Sequence, residues 1–244
     1  MSGRTGELRV GTSGWIYRHW RGVFYPQDLP MKRWFAFYAE RFDTAEINAT
    51  FYRLPSQAAA AAWREAAPPG FVFAWKASRF ITQAKKLRDV EAPLARVYTP
   101  MLALGETLGP ALFQLPPQLR LDLERLAAFL ALLPQGRRHA VEFRHPSWYE
   151  PAVFDLLAQH DVALCVADHF KAPAPWRATA SFAYVRGHGP GGDYRGGYSQ
   201  AQLQRWADHI QGWRAEGRDV YAYFDNDIGC AAPADAVRLQ QLCG

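Results

Sequence analysis

No stretch of the chain approaches the roughly 20 consecutive apolar residues that a membrane-crossing helix requires. The opening residues, Met1 to Glu7, are polar and carry no signal-type apolar core. The expectation is therefore no membrane association and a cytoplasmic location. Cysteine is scarce: Cys165, Cys230 and Cys243 are odd in number and far apart, which excludes a disulfide framework and matches no zinc or iron–sulfur spacing. Cys165 lies in the apolar run Val162 to Ala167 and reads as a buried, inert thiol, which suits a reducing compartment. No G-x-G-x-x-G follows the first strand, which argues against a dinucleotide-binding sheet, and there is no H-E-x-x-H. Low-complexity linkers and breaks in composition are also missing, so the chain reads as one domain.

What is present suits a large core. Of 244 residues, 49% are hydrophobic and 21% charged, ordinary for a globular chain. The length is close to that of a complete α/β barrel, roughly 250 residues. A net charge of +5, from 28 basic and 23 acidic residues, mildly favours anionic partners. The densest basic clusters, Lys85-Lys86-Leu87-Arg88 and Arg137-Arg138-His139, read as solvated faces.

Short apolar strand candidates recur at 8–12, 44–48, 71–77, 110–115, 139–144, 162–168, 182–186 and 220–224. Between most of them the apolar period is near 3.6, as in Leu126, Phe129, Leu130 and Leu133, or Leu203, Trp206, Ala207, Ile210 and Trp213. Ser147 to Glu150 and Ser199 to Gln202 read as capping boxes, and Pro151 and Pro233 suit first helical turns. The sixth repeat is weakest: Pro173, Pro175 and Trp176 predict a loop in place of a helix. About eight strand–helix repeats imply a closed parallel sheet with outer helices, a (β/α)₈ TIM barrel.

Strands of such a barrel are buried on both faces, so an ionisable residue within them must be paired or put to use. Here these residues gather at the strands' C-terminal ends, the rim from which barrel enzymes draw their catalytic groups. Glu46 and Asn48 end the second strand, Lys76 and Arg79 the third, and Gln114 the fourth. Glu142, Arg144 and His145 end the fifth, Asp168 and His169 the sixth, Arg186 and His188 the seventh, while Asn226 and Asp227 follow the eighth. Glu46 and Asn48 share parity, as do Glu142 with Arg144 and Arg186 with His188; the apolar Ile47, Phe143 and Val185 between them would face the helices. Either these residues form a pocket, or pairs such as Glu142–Arg144 and Asp168–Arg186 form a structural network closing the barrel mouth.

Several segments resemble the YecE-like family, a domain of unknown function. They are Gly11-Thr12-Ser13-Gly14-Trp15, Glu46 to Pro55, Leu112 to Pro117, Glu142 to Trp148, Tyr184 to Gly189, and Tyr223 to Asp227. The resemblance covers nearly the whole chain, implies a (β/α)₈ barrel and implies no established activity. One departure is Gln83, which stands where the resemblance leads one to expect a histidine, so that a histidine there is not an obligatory acid or base.

As chemistry, the rim offers Glu46, Lys76, Glu142, Asp168 and His188 as catalytic candidates. Asn48, Tyr52, Gln114, Arg144, Arg186, Asn226, Asp227, Trp15 and Tyr17 are candidates for substrate binding. Arg144 and Arg186 suit a carboxylate or phosphate gripped by two N–H groups. Lys76, desolvated among Phe73, Trp75 and the cations, would serve as base or nucleophile, and Glu46 with Glu142 as an acid/base pair across the barrel. The glycine-rich stretch from Gly187 to Gly192 reads either as a phosphate-binding loop or as a flexible lid. Trp15 to Arg21 would stack bases or sugars, or else plug the mouth. No organic cofactor is expected. Mg²⁺ or Mn²⁺ stays open, although Lys76, Arg144 and Arg186 already compensate the carboxylates. The leading expectation is an acid/base enzyme for a small anionic or hydroxylated metabolite. The alternatives are a metal-dependent phosphodiester hydrolase or nucleic-acid binder, favoured less, and a non-catalytic ligand-binding protein. The oligomeric state is not encoded.

Overall fold

The computed structural model describes residues 4–244. Its strands are β1 (Leu8–Thr12), β2 (Thr44–Ile47), β3 (Val72–Lys76), β4 (Leu108–Gln114), β5 (His139–Glu142), β6 (Val162–Ala167), β7 (Phe182–Gly187) and β8 (Asp219–Phe224). All pair in parallel in the order β1-β8-β7-β6-β5-β4-β3-β2, and the single bridge Ser13–Glu46 brings the two ends together. This is the expected (β/α)₈ barrel. The strands β2, β5 and β6 stop short of Asn48, Arg144 and Asp168, because the chain leaves the ladder where it turns into the site.

The β1–β2 seam is closed by unusual means. Gly14 N–H donates to Glu46 O at 2.7 Å. Above the bridge's neighbours, the buried hydroxyl of Tyr38 takes the Thr12 N–H at 2.9 Å and donates to Thr44 O at 3.0 Å. Gly11 permits this close approach: a Cβ there would lie 2.3 Å from Thr44 O.

Around the strands lie α1 (Trp34–Ala39), α2 (Gln57–Ala66), α3 (Glu91–Met101), α4 (Leu123–Ala131), α5 (Pro151–Gln159), α6 (Gln200–Ala215) and α7 (Ala231–Cys243). The β6–β7 connection has no helix, in keeping with its prolines. Leu126, Phe129, Leu130 and Leu133 are buried, as are Leu203, Trp206, Ala207, Ile210 and Trp213, so both 3.6-residue patterns mark core faces. The Ser199 capping box forms, with Gln202 reaching back to the Ser199 N–H. The box read at Ser147 does not form. Pro146–Trp148 makes a separate 3₁₀ turn and α5 starts at Pro151, leaving the Ser147 hydroxyl to accept from Leu121 N–H at 2.9 Å.

Two apolar cores result. The larger fills the space between strands and helices. The smaller lies inside the barrel and includes Ala74, Leu112, Ala140, Cys165, Tyr184 and Tyr223. Cys165 is buried and unpaired there. Among the described residues, no helix is long and apolar enough to cross a membrane.

Candidate active site

Two residues beyond each inner-core position, strand alternation brings another side chain inside. Ala74 leads to Lys76, Leu112 to Gln114, Ala140 to Glu142, Tyr184 to Arg186 and Tyr223 to Asp225. Glu46 on β2 and Ser13 just past β1 complete the set, joined by their own bridge. Only β6 supplies an apolar residue, Ala167, at this level.

Arg186 is the centre of this layer and is fully buried. Its Nε and Nη2 grip Glu46 at 3.1 and 2.8 Å, Nη1 reaches Glu142 at 2.9 Å, and Nη2 reaches Asp225 at 2.9 Å. Glu46 also accepts from the Ser13 hydroxyl at 2.5 Å and the Tyr184 hydroxyl at 2.6 Å. Gln114 Nε2 donates to both oxygens of Glu142 at 3.1 Å. Burial alone would raise the Glu142 carboxyl, but Arg144 and Arg186, helped by Lys76, hold it well below the usual range. Three carboxylates thus share one guanidinium, whose fork supplies the hydrogen bonds that buried charges require.

This arrangement corrects three sequence expectations. Glu46 and Glu142 do not face each other across a substrate space, because Arg186 bridges them. Arg186 has its N–H groups committed to protein carboxylates, so it frames the site and leaves the ligand to others. The expected Asp168–Arg186 pair is replaced by Asp225–Arg186, whereas the Glu142–Arg144 pair does form.

His188 is buried beside both arginines. Its Nε2 lies 3.0 Å from Arg144 Nη2 and 3.1 Å from Arg186 Nη1. Arginine can only donate, so Nε2 carries a lone pair and the ring proton sits on Nδ1, 3.4 Å from Asp168 Oδ1. A ring nitrogen held between two guanidinium groups orients them and does not deliver a proton to a ligand. Asp168 accepts from His188 N–H at 2.7 Å and from the Tyr198 hydroxyl.

The loop from Gly187 to Gly192 is tied to itself and to its neighbours. The amides of Gly189, Gly192 and Tyr194 donate to Tyr198 Oη, Gly189 O and His188 O. Together with His188 N–H on Asp168, these engaged donors leave no phosphate cradle of the expected kind. Gly189 has a φ of +94°, and a Cβ on it would come within 2.2 Å of Arg195 O, so close packing accounts for this glycine.

A cavity of about 360 Å³ opens at the mouth above the buried layer. Phe51, Gln83, Gln114, Arg144, His169 and Lys171 are among the residues lining it. Arg144 spends three of its five donors on Glu142, Tyr194 and His188, which leaves two for a ligand. Burial first, then the Arg144 charge, lowers His169 to about 4, so this imidazole is neutral at neutral pH. Gln83 donates to Gln114 O at 2.9 Å within a single π-helical turn, Phe80–Ala84, and so frames the cavity wall.

Lys76 sits at the inward position next to Gln114 and is 5% exposed. Its Nζ lies 4.3 Å from the centre of the Phe51 ring. Among the described residues it has no hydrogen bond or ion pair, because Arg186 has claimed the nearby carboxylates. Burial first, and then repulsion from Arg186, lower it to about 8. Its aromatic neighbour is Phe51; Phe73 and Trp75, expected to desolvate it, lie at opposite parity and pack in the outer core.

Other candidates fall elsewhere. Trp15 packs on Phe35, Tyr38, Trp63 and Phe73, and Trp20 is fully buried, so neither offers a face for stacking bases. Tyr17 donates to Ser13 O at 2.6 Å. Trp15, Tyr17, Asn48 and Tyr52 line a separate, mostly apolar cavity of about 290 Å³, in which Asn48 Oδ1 is buried without a partner. Asn226 ties the loop after β8 to Asp235 and Gly196. Asp227 offers its backbone carbonyl to His19 and lies half-buried. Ser13, Tyr184, Tyr194 and Asp225 were missed by the sequence reading. Two of them had a signal in parity: Asp225 shares it with Tyr221 and Tyr223, and Tyr184 shares it with Arg186 and His188.

Known proteins resemble the chain over its length. YunF of Bacillus subtilis is 24% identical, with 96% of this chain and 94% of that protein aligned. YecE of Escherichia coli is 32% identical over 113 residues, 46% of this chain, and the match spans only 42% of YecE. A solved DUF72 family protein of Thermotoga maritima superposes with a TM-score of 0.88 at 25% identity, covering 97% of this chain and 98% of the other. The family model described as "Protein of unknown function DUF72" matches residues 9–244, so the chain belongs to that family.

Proposed function

We propose that the protein is an enzyme acting by acid/base chemistry on a small metabolite that bears a carboxylate or phosphate. The reading rests on one observation: Arg144, with two unspent donors, lines the cavity at the barrel mouth, and Lys76, with no counter-ion, lies buried against Phe51, which lines the same cavity. Arg144 supplies the anion anchor, and Gln83, Gln114 and Lys171 supply further polar contacts. Lys76 is the group able to exchange a proton near neutral pH. The ion pairs of Arg186 with Glu46 and Glu142 fix the floor, an electrostatic frame built before substrate arrives.

The metal-dependent alternative draws less support. Among the described residues, no three His, Cys, Asp or Glu side chains are grouped to hold a metal ion. The three converging carboxylates already take their positive charge from Arg186. Nucleic-acid binding loses its proposed stacking surface with the burial of Trp15 and Trp20.

Thermal shifts against a panel of small carboxylates and sugar phosphates test the reading. At least one compound should stabilise the parent protein, and Arg144→Ala should lose that stabilisation while remaining folded. An equal shift in Arg144→Ala would remove the anion site.

A further inference from the structure

Lysine is seldom buried without a counter-ion, because an ammonium taken from water needs either a carboxylate or hydrogen-bond acceptors. In this barrel a cheaper arrangement is close at hand, since Glu46, Glu142 and Asp225 all lie in the same layer. All three turn instead to Arg186, and the Lys76 amine is left facing the ring of Phe51. That environment tolerates a cation through the ring face but does not pin it with a carboxylate. An amine held this way can lose its proton without breaking an ion pair, and it can carry a carbon substituent on nitrogen without displacing a partner.

From this placement, and resting on the reading above, we infer that Lys76 is a covalent nucleophile that forms an iminium with a small aldehyde or ketone carrying a carboxylate or phosphate. The neutral amine attacks the carbonyl carbon and the C=O electron pair passes to oxygen; the nitrogen then gives up one proton and the oxygen takes one up, leaving a neutral carbinolamine with a lone pair on nitrogen. A second proton lets that oxygen leave as water while the nitrogen lone pair forms the C=N bond. Addition of water reverses the sequence and restores the free amine, so no oxidant or reductant is consumed. The iminium keeps the positive charge over Phe51, where the ammonium stood, and the anionic end of the substrate falls to Arg144, which lines the same cavity as Phe51.

Reductive trapping tests this directly. The full chain is incubated with glyoxylate, pyruvate or dihydroxyacetone phosphate and cyanoborohydride, and the modified lysines are mapped by peptide mass spectrometry. Lys76 should be labelled roughly tenfold or more faster than the exposed Lys32 and Lys86 by at least one of these compounds. Its labelling should rise with pH and level off near the point, about 8, at which the amine is half protonated. Butanal, which has no anion, should show no such preference. Lys76→Met should lose the fast label and keep the slow background; if that variant fails to fold, the site map of the parent still decides. Labelling of Lys76 no faster than that of the surface lysines by all three compounds would overturn the inference. If anion-dependent thermal stabilisation persists in that case, only the covalent step falls; if it is absent too, the proposed function falls with it.

Discussion

Two cations of this layer meet opposite fates. Arg186 has three carboxylates and spends its fork on them, whereas Lys76 has none. The consequence for stability has a defined sign. Burial lowers Lys76 from 10.5 to about 8, so the folded state binds its proton less tightly than the unfolded chain does. The penalty is full below pH 8, shrinks as pH rises from 8 to 10.5, and vanishes above that. Lys76→Met should therefore be more stable than the parent at pH 7, by about 3 kcal/mol at the upper limit, with the gap closing by pH 10.5. Denaturant unfolding of the pair at pH 7 and at pH 10 checks this, and a gap that does not change with pH would contradict it. Much of this residue-level arrangement was readable in the sequence. Period-two alternation picks out Glu46, Glu142, Arg144, Arg186 and His188 as inward, and strand-end position adds Lys76 and Gln114; Asn48, inward by the same parity, instead lines the apolar cavity beside Trp15. The pairing was not readable, because which carboxylate meets which guanidinium depends on barrel stagger. Asp225 shows the difference: Asn226 and Asp227 are the polar residues past the strand that the sequence points to, yet it is Asp225, two residues beyond the inward Tyr223, that meets Arg186.

At the level of elements, identical-looking signals separate once the chain folds. Ser199 and Ser147 both precede a Glu or Gln by three residues and an apolar helix. Ser199 caps α6 in both directions. Ser147 lies inside a 3₁₀ turn started by Pro146, with His145 as its N-terminal neighbour, and its hydroxyl holds the loop after β4 through Leu121 N–H. The proline at position 151 fixes where α5 begins and overrides the box four residues earlier. Ser199→Ala should cost about 1 kcal/mol and raise amide exchange in the first turn of α6. Ser147→Ala should leave exchange in α5 unchanged and act instead on Leu121, near the cavity-lining Leu115 and Pro117. Faster exchange at the start of α5 in Ser147→Ala would restore the capping box and refute the assignment. The missing sixth helix, by contrast, follows from Pro173 and Pro175, whose rings cannot continue a helical hydrogen-bond ladder.

For the whole molecule, the count of strand–helix repeats was enough to predict a closed barrel, yet nothing local to β1 or β2 announced how the sheet would close. The answer lies on α1, where Tyr38 reaches the seam from outside and stands in for ladder hydrogen bonds that the strands do not make. The seam also carries the Ser13–Glu46 bridge, so the closure of the barrel and the seating of Arg186 depend on the same few contacts. Tyr38→Phe keeps the ring packed against Phe24, Phe42 and Trp15 but removes the hydroxyl. It leaves Thr12 N–H without its acceptor and Thr44 O without its donor, both in a buried place that water reaches poorly. An unsatisfied buried pair of this kind costs about 1–3 kcal/mol, far more than the ring's unchanged apolar contacts can offset. The loss should appear as a lower denaturation midpoint with an unchanged denaturant slope, together with faster amide exchange at Thr12 than at Val10 on the same strand. Because Glu46 sits at the top of the seam, anion-dependent stabilisation through Arg144 should weaken in parallel. A Tyr38→Phe protein with parental stability and a fully protected Thr12 amide would mean that the strands themselves hold the barrel shut.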